Sequence, residues 1–160
     1  MHMKKIKWKT LIIAVAIPLL TGTIAGLLTA ENTAYFSLLE KPPLSPPGWL
    51  FPVVWTILYI FMGLASWLVW TAEGNRLEKE KALRPYGAQL IVNFFWSIIF
   101  FNWGMYLLAF VWLLLLWVLI VITAVRFYRI RPAAGYLLVP YLLWVTFAGY
   151  LNYGVWKLNG

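Results

Sequence analysis

The stretch PYGAQLIVNFFWSIIFFNWGMYLLAFVWLLLLWVLIVITAV (residues 85–125) contains 41 residues and no charged side chain. As a single α-helix it would be about 60 Å long, roughly twice the thickness of a bilayer hydrocarbon core. It must therefore fold back on itself, and its most polar, glycine-containing point is Asn102-Trp103-Gly104. This predicts two antiparallel transmembrane helices, at residues 85–101 and 105–125.

Three other uncharged runs complete the predicted architecture. They cover residues 10–28, 49–72 and 132–156, each long enough to cross a bilayer as a helix. The chain is 63% hydrophobic and 11% charged, with a mean hydropathy of +0.80, whereas soluble domains are about half apolar and a quarter charged. We therefore predict an all-α membrane protein. Residues 1–160 would form a single domain, a five-transmembrane-helix bundle with a proline-rich loop between helices 1 and 2.

Lysine and arginine lie mostly on one side of this predicted bundle. Eleven occur in the N-terminal tail and in the loops after helices 2 and 4, whereas the opposite side has only Lys41 and Lys157. Cytoplasmic loops carry such an excess, so we predict a cytoplasmic N-terminus and a C-terminus outside. The same clusters explain the net charge of +8 as a face that meets the lipid bilayer, and they argue against nucleic acid as a partner.

Reactive groups are scarce. The chain has no cysteine, and its one histidine, His2, lies in a Met-His-Met start that we interpret as an expression remnant. The predicted helices contain no Asp, Glu, Lys, Arg or His. Proton relays use such groups inside the membrane, and hydrolysis needs a positioned acid, base or nucleophile. The pattern therefore disfavours channels, proton-driven transporters and intramembrane hydrolases, and it predicts no metal site and no required cofactor.

Aromatic residues make up 19% of the chain, and three predicted helices combine them with uncharged hydrogen-bonding groups on one face. The three faces consist of Trp55, Tyr59, Met62 and Ser66; of Gln89, Asn93, Trp96 and Phe100; and of Tyr141, Trp144, Ala148 and Asn152. Because amides are costly against lipid, we expect these faces to point inward and line a cavity in the outer half of the bundle. Such a cavity suits a flat, apolar, polycyclic molecule. Ordinary helix packing, with amides bonded across helices, is the alternative.

Three shorter segments each allow two interpretations. Residues 40–48, EKPPLSPPG, are either a stiff connector or a preformed lid over the cavity. Gly22 and Gly26 form a GxxxG pattern in helix 1, which fits a homodimer contact or close packing inside the bundle. Residues 151–157 match a cholesterol-recognition-like pattern, which anchoring at the membrane interface also explains.

Three sequence blocks along helices 2 to 5 form a recognisable set: KPPLSPPGWLFPVVWTILYIFMGLASW (41–67), NFFWSIIFFNWGMY (93–106) and LLVPYLLWVTFAGYLNYGVWKLN (137–159). Together they resemble the signature of the translocator protein family, also called TspO or peripheral-type benzodiazepine receptor, and in particular its bacterial members. The resemblance covers most of the chain, and the family has five helices, as predicted here. It implies an integral protein of the bacterial cell membrane.

The resemblance also implies ligands and site residues. Members of the family bind porphyrins and isoquinoline- or benzodiazepine-type ligands, and in animals cholesterol. Some bacterial members degrade protoporphyrin in a light- and oxygen-dependent reaction that relies on two tryptophans, which align with Trp55 and Trp144. Ala34 departs from the pattern, since many bacterial relatives have Trp there, so we expect an altered pocket rim. The ligand-binding positions that carry over are Tyr35, Pro47, Trp55, Asn93, Trp96, Trp144, Ala148 and Asn152.

Three functions are compatible with these observations. The first is a membrane receptor for protoporphyrin or a related tetrapyrrole, with or without photo-oxidative degradation of that porphyrin by Trp55 and Trp144. The second is a non-catalytic carrier or regulatory partner for tetrapyrroles or sterol-like lipids. The third is a structural helix bundle whose aromatic residues only pack. Saturable binding of a planar ligand separates the third from the others, and product formation under illumination separates the enzyme from the carrier.

Overall fold

The computed structural model describes residues 7–160, and all regular structure within that range is helical. The all-α prediction is thus confirmed for those residues, whereas His2 and two lysines of the basic N-terminal tail, Lys4 and Lys5, lie outside them. The helices are α1 (Trp8–Phe36), α2 (Leu50–Trp70), α3 (Arg76–Ser97), α4 (Tyr106–Ile130), α5 (Pro132–Leu137) and α6 (Val139–Asn159), and a π-helical turn, the π-turn (Ile98–Asn102), continues α3.

Within residues 7–160, four segments are long and apolar enough to cross a membrane: α1, α2, α4 and the combined α5–α6 segment Pro132–Asn159. α3 differs from these because its first turns carry charged side chains, from Arg76 to Arg84. Only its second part, together with the π-turn, is uncharged. The helix therefore has a polar half and an apolar half.

Three helices extend well beyond the uncharged runs that predicted them. α1 continues to Phe36 instead of ending at residue 28, α3 begins at Arg76 instead of residue 85, and α4 continues to Ile130 instead of ending at residue 125. A helix need not end where the hydrocarbon core of the bilayer ends, because water and capping side chains can form hydrogen bonds with its terminal N–H and C=O groups. Asn75 caps α3 in this way, since its side chain accepts a hydrogen bond from the Leu77 N–H at 2.8 Å.

Pro85 lies inside α3, so the expectation that it starts a helix is wrong. A proline within a helix cannot donate to the carbonyl four residues earlier, which here belongs to Lys81. The guanidinium of Arg126 on α4 donates to that carbonyl at 2.7 Å and replaces the missing bond. Pro132 does occupy the first turn of its helix, as predicted.

The chain turns and breaks where polar or proline residues interrupt the apolar runs. The predicted turn between the third and fourth helices is present: the π-turn ends at Asn102, and Gly104 adopts a φ of +62°, which glycine tolerates. The last predicted helix is divided at Leu138 into α5 and α6. Pro140, in the first turn of α6, has no N–H to donate backwards, which accounts for the break.

The helices are arranged so that α6 stands apart from two of its neighbours. α1 packs along α2, α3 along α4, and α4 along α6, whereas α6 makes few close backbone approaches to α2 or α3. α5 contacts α2 and α4 at the basic end of the bundle, defined by residues 76–84 and 126–131. The opposite end, the proline end, includes residues 37–49 and the last turn of α6.

Candidate functional site

Long side chains, not close backbone contacts, fill the space between α2, α3 and α6. The three faces predicted from the sequence all contribute to it, and Trp55, Trp96 and Trp144 are half-buried there. The prediction that the faces point inward is confirmed. The members that are less than 10% exposed are Tyr59, Met62, Ser66, Gln89, Asn93, Phe100, Tyr141, Ala148 and Asn152.

Four of these side chains form one hydrogen-bonded group, the amide–phenol cluster (Tyr59, Gln89, Asn93 and Tyr141). The Tyr59 hydroxyl donates to Asn93 Oδ1 at 3.1 Å, and Asn93 Nδ2 donates to the Tyr141 hydroxyl at 2.7 Å. That hydroxyl donates in turn to Gln89 Oε1 at 2.6 Å. The buried amides therefore find hydrogen-bond partners on neighbouring helices, as ordinary packing also requires. Together the four side chains form an uncharged polar group at one side of the site.

Trp55 lies on the proline-end side of this cluster. Its ring stacks on Tyr59, with centroids 5.6 Å apart, and meets the ring of Tyr141 edge-on at 6.1 Å. One helical turn nearer the proline end, Phe51 of α2 meets Trp144 of α6 edge-on at 5.8 Å. The two tryptophans thus lie on facing helices and are linked through aromatic neighbours, since each contacts a ring from the opposite helix.

Trp144 carries a polar group that the surrounding protein does not satisfy. Its indole N–H is buried, and no atom of residues 7–160 accepts a hydrogen bond from it. Buried indole N–H groups usually have a partner. The Trp144 N–H is therefore a buried donor without a protein partner in the part of the chain that the structure describes.

Trp96 and Asn152 form a second polar contact between α3 and α6. The Trp96 indole N–H donates to Asn152 Oδ1 at 3.0 Å, and Asn152 Nδ2 donates to the Tyr106 carbonyl at the start of α4 at 2.9 Å. Trp96 also stacks on Phe100 in the π-turn, with centroids 5.1 Å apart. These bonds fix the orientation of the Asn152 amide, and Ala148, one turn earlier on α6, is buried beside it.

Tyr35 and Pro47 do not join the buried group. Tyr35 is 60% exposed in the last turn of α1, and Pro47 is exposed just before α2, where its carbonyl accepts the Leu50 N–H at 3.0 Å. Both lie at the proline end, so they occupy positions at the rim of the bundle and not inside it.

Sequence reasoning omitted several residues that shape the site. Tyr59, Gln89 and Tyr141 were placed on inward faces but not among the binding residues. Phe51 was missed, although its position four residues before Trp55 puts both on one helix face. The sequence assigns Gly22 only to the GxxxG pattern. A β-carbon at this position would overlap the Tyr59 ring, so α1 packs closely against that ring at Gly22.

The arrangement determines which chemistry the site can support. It offers aromatic faces, neutral amides and the buried, unpartnered indole N–H of Trp144, without the acid, base or nucleophile that hydrolysis uses. Across residues 7–160, no three His, Cys, Asp or Glu side chains lie close enough to hold a metal ion. The site is therefore suited to recognising a planar ring system by stacking and a few polar contacts.

Comparison with known proteins identifies relatives over nearly the whole chain. The TspO/MBR family matches residues 14–157. The tryptophan-rich protein TspO of Chlorobaculum tepidum is 39% identical over 151 residues, which cover 94% of this chain and 96% of that protein. The tryptophan-rich sensory protein of Cereibacter sphaeroides is 33% identical over 159 residues, covering 99% and 95%. The translocator protein of Homo sapiens is 40% identical over 130 residues, covering 81% and 77%.

Proposed function

This chain belongs to the TspO/MBR family, and from that premise we propose that it binds porphyrin or a similar planar hydrophobic molecule between α2, α3 and α6. The membership confirms the resemblance predicted from three sequence blocks. Together with the four apolar helical segments, it makes the chain an integral membrane protein. The observation that carries the proposal is the group of facing aromatic rings and uncharged polar atoms where α6 stands away from α2 and α3.

The ligand that fits this chemistry best is metal-free protoporphyrin or a related tetrapyrrole. Trp55 and Trp144 would stack on its rings, and the free N–H of Trp144 would donate to a polar edge. Asn93 and Asn152 would orient the ligand, since both amides are already fixed by their partners. Flat isoquinoline- or benzodiazepine-type molecules share the same requirements. Binding needs no further cofactor.

Photo-oxidative degradation of the bound porphyrin is a second candidate function. The row of contacting, oxidisable rings Trp55, Tyr59 and Tyr141 favours it. In this reaction light would excite the bound porphyrin, dioxygen would be the oxidant, and the porphyrin would be consumed. A carrier or regulatory partner for tetrapyrroles or sterol-like lipids would instead return its ligand unchanged. Aerobic illumination followed by chromatography of the pigment separates the two functions.

Binding is tested by titrating protoporphyrin into the full chain in lipid nanodiscs and following quenching of tryptophan fluorescence. We expect saturable quenching, and we expect Trp144→Phe to weaken affinity roughly tenfold, because it removes the free N–H and part of the stacking surface. Trp70→Phe is the matched control, since Trp70 is exposed at the basic end. Equal affinity of both variants, or quenching that never saturates, would contradict the proposed site.

We propose that the bundle crosses the membrane five times, with the uncharged second part of α3 and the π-turn as the additional span. The basic end would face the cytoplasm, which places the N-terminus inside and the C-terminus outside a bacterial cell membrane. Support comes from the concentration of Lys and Arg at residues 76–84 and 126–131.

A homodimer would use the exposed apolar face of α1, which includes Ile13, Ile17, Leu20, Ile24 and Leu27. Of the two GxxxG glycines, Gly22 faces Tyr59 inside the bundle, whereas Gly26 faces open space. Only the Gly26 side of α1 is therefore free for a second copy.

A further inference from the structure

A groove lies at the basic end of the bundle, between α4 and the helices that follow it. This basic groove (residues 124–129 and 135–139) has a volume of about 320 Å³ and shares no residue with the proposed ligand site. Its two sides meet at Gly135, where a β-carbon would overlap Tyr128 and approach the Ala124 carbonyl. The backbone of α5 therefore packs directly on α4, and larger side chains on either side of this contact form the walls.

The basic groove has an apolar end and a cationic end. α4 runs toward the basic end and α6 runs away from it, so Val125 and Val139 both line the part of the groove nearer the bilayer centre. Val125 is also the last residue of the uncharged run that begins at residue 85. Arg129 lies four residues further along α4, about 6 Å of helix rise. The groove thus passes from hydrocarbon level to headgroup level.

Arg129 supplies a positive charge that the protein does not neutralise. The side chain is exposed, and within residues 7–160 no carboxylate forms an ion pair with it. Residues 81–160 contain no Asp or Glu. Arg126, one turn earlier, differs because its guanidinium donates to the Lys81 carbonyl. An arginine guanidinium can donate two parallel hydrogen bonds to a phosphate, so Arg129 is suited to an anionic group.

Two tyrosines line the groove beside this charge. The rings of Tyr128 and Tyr136 meet edge-on, with centroids 5.6 Å apart, and both are exposed. Tyrosine prefers the membrane interface because its ring is apolar and its hydroxyl is polar. Their position agrees with the headgroup level assigned to Arg129.

We propose that the basic groove binds one anionic phospholipid. Its phosphate is held by the Arg129 guanidinium next to the two tyrosines, and the first part of one acyl chain lies between Val125 and Val139. Basic pockets between transmembrane helices on the cytoplasmic side suit anionic headgroups, and the orientation proposed above places this end of the bundle there. The inference goes beyond porphyrin binding, since the two sites have no residue in common.

Charge and depth favour a lipid over other occupants. A larger groove of about 510 Å³, between α4 and α6 around Gly149, has no charged residue in its lining and so offers no anchor for a headgroup. A free phosphate ion would leave the apolar part of the basic groove without an occupant. A peptide would bring backbone N–H and C=O groups to hydrocarbon level, where they lack partners.

Native mass spectrometry of the full chain in detergent tests the headgroup contact. The probes are dioleoyl phosphatidylglycerol, which is anionic, and dioleoyl phosphatidylcholine, which has the same acyl chains and no net charge. We expect one phosphatidylglycerol to bind roughly tenfold more tightly than phosphatidylcholine, and Arg129→Gln to reduce that preference to about twofold. Arg84→Gln is the matched control, because it removes an exposed cation at the same end but outside the groove. Equal losses in the two variants would indicate general attraction to the basic end and overturn the site.

Filling the apolar end tests the acyl-chain contact without changing any charge. Val139→Trp and Val125→Trp alter opposite walls at exposed positions, so either variant can serve if the other fails to fold. Both should weaken binding of both lipids roughly fivefold, with melting temperatures in lipid-free detergent close to that of the parent chain. Unchanged affinity in a folded variant would overturn the placement of the chain.

Two further outcomes of the same titrations would contradict a lipid site. Inorganic phosphate should not displace phosphatidylglycerol at equal concentration, because it makes no apolar contact; displacement would reduce the groove to an anion site. Bound phosphatidylglycerol should appear on the monomer. A dimer that carries no lipid would instead assign the groove to a second copy of the chain.

Discussion

At the level of single residues, the amide–phenol cluster depends most on Tyr141. Its hydroxyl accepts a hydrogen bond from Asn93 and donates one to Gln89, whereas the Tyr59 hydroxyl donates only to Asn93. A buried polar group that loses its partner costs about 1–3 kcal/mol. Removing the hydroxyl of Tyr141 would therefore leave more amide groups without a hydrogen-bond partner than removing the hydroxyl of Tyr59.

We predict that Tyr141→Phe lowers the free energy of unfolding more than Tyr59→Phe does. The first substitution leaves Asn93 Nδ2 and Gln89 Oε1 without this partner, for a loss of about 2 kcal/mol, and the second leaves one acceptor, for about 1 kcal/mol. Thermal and denaturant unfolding in detergent micelles measures both. Equal losses would show that the Tyr141 hydroxyl is not shared between the two amides.

Gly22 and Gly26 provide a second test at single positions. An alanine at position 22 would overlap the Tyr59 ring, so the ring or α1 must shift, at a cost of about 1–3 kcal/mol. An alanine at position 26 meets open space and should leave stability unchanged or raise it by up to about 1 kcal/mol through helix propensity. Melting temperatures of Gly22→Ala and Gly26→Ala provide the comparison. A similar loss in both would argue that Gly22 has no special contact with Tyr59.

At the level of elements, α3 illustrates how a helix keeps its geometry across a proline. Its polar first turns and its apolar second part meet at Pro85, and the neighbouring helix α4 supplies the donor that proline lacks. The side chain of Arg126 thereby links α3 and α4 at the basic end. The contact is exposed, so its contribution is smaller than that of a fully buried charged hydrogen bond.

A double-mutant cycle measures that link. Arg126→Ala should cost about 1 kcal/mol in a chain with Pro85, because the Lys81 carbonyl then loses its only protein donor within residues 7–160. In a Pro85→Ala background the new backbone N–H can donate to Lys81, so the same substitution should cost much less. The cycle should give a coupling energy of about 1 kcal/mol from unfolding measurements. A coupling near zero would mean that Arg126 acts on α3 through charge alone.

The π-turn is the second element with a defined structural role. Asn102, its last residue, accepts a hydrogen bond from the Asn32 side chain at 2.7 Å and donates to the Leu28 carbonyl at 3.1 Å. The same turn places Phe100 against Trp96. The π-turn therefore joins α1 to α3 at the proline end and supports one wall of the site, in keeping with the frequent location of such turns at functional sites.

At the level of the whole molecule, the two ends of the bundle differ in charge and in structure. The basic end carries the Lys and Arg clusters and the close contact of α5 with α2, whereas the proline end carries the segment between α1 and α2, where Asn159 of α6 donates a hydrogen bond to the Glu40 carbonyl. In the proposed five-span topology these ends lie on opposite sides of the membrane, and positive charge faces the cytoplasm.

Cysteine labelling tests this topology, because the chain has no native cysteine. Leu77→Cys and Leu158→Cys are a matched pair, since both positions are exposed leucines near opposite ends of the bundle. A membrane-impermeant maleimide should label position 158 in intact cells and position 77 only after permeabilisation. Labelling of both positions in intact cells would contradict an odd number of spans between residues 77 and 158. The reverse pattern would contradict the proposed orientation.

Sequence alone predicted much of this molecule because hydropathy and charge act along the chain. The uncharged run at residues 85–125 required a turn, and the turn lies at the predicted point. Helical periodicity assigned Tyr59, Asn93 and Asn152 to inward faces because an amide or hydroxyl facing lipid would lack partners, a constraint that is independent of neighbouring helices. The helix ends were less predictable, since capping and solvation set them outside the hydrocarbon.

Only the tertiary structure decides which of the inward-facing side chains contact each other. Pairs such as Asn93 with Tyr141, Trp96 with Asn152, and Glu40 with Asn159 are separated by 48, 56 and 119 positions along the chain. Their contact depends on how far each helix rotates and how closely it approaches its neighbour, which the packing of the whole bundle sets. The chain thus specifies a membrane bundle with polar–aromatic inner faces, and the separation of α6 from α2 and α3 turns those faces into a candidate binding site.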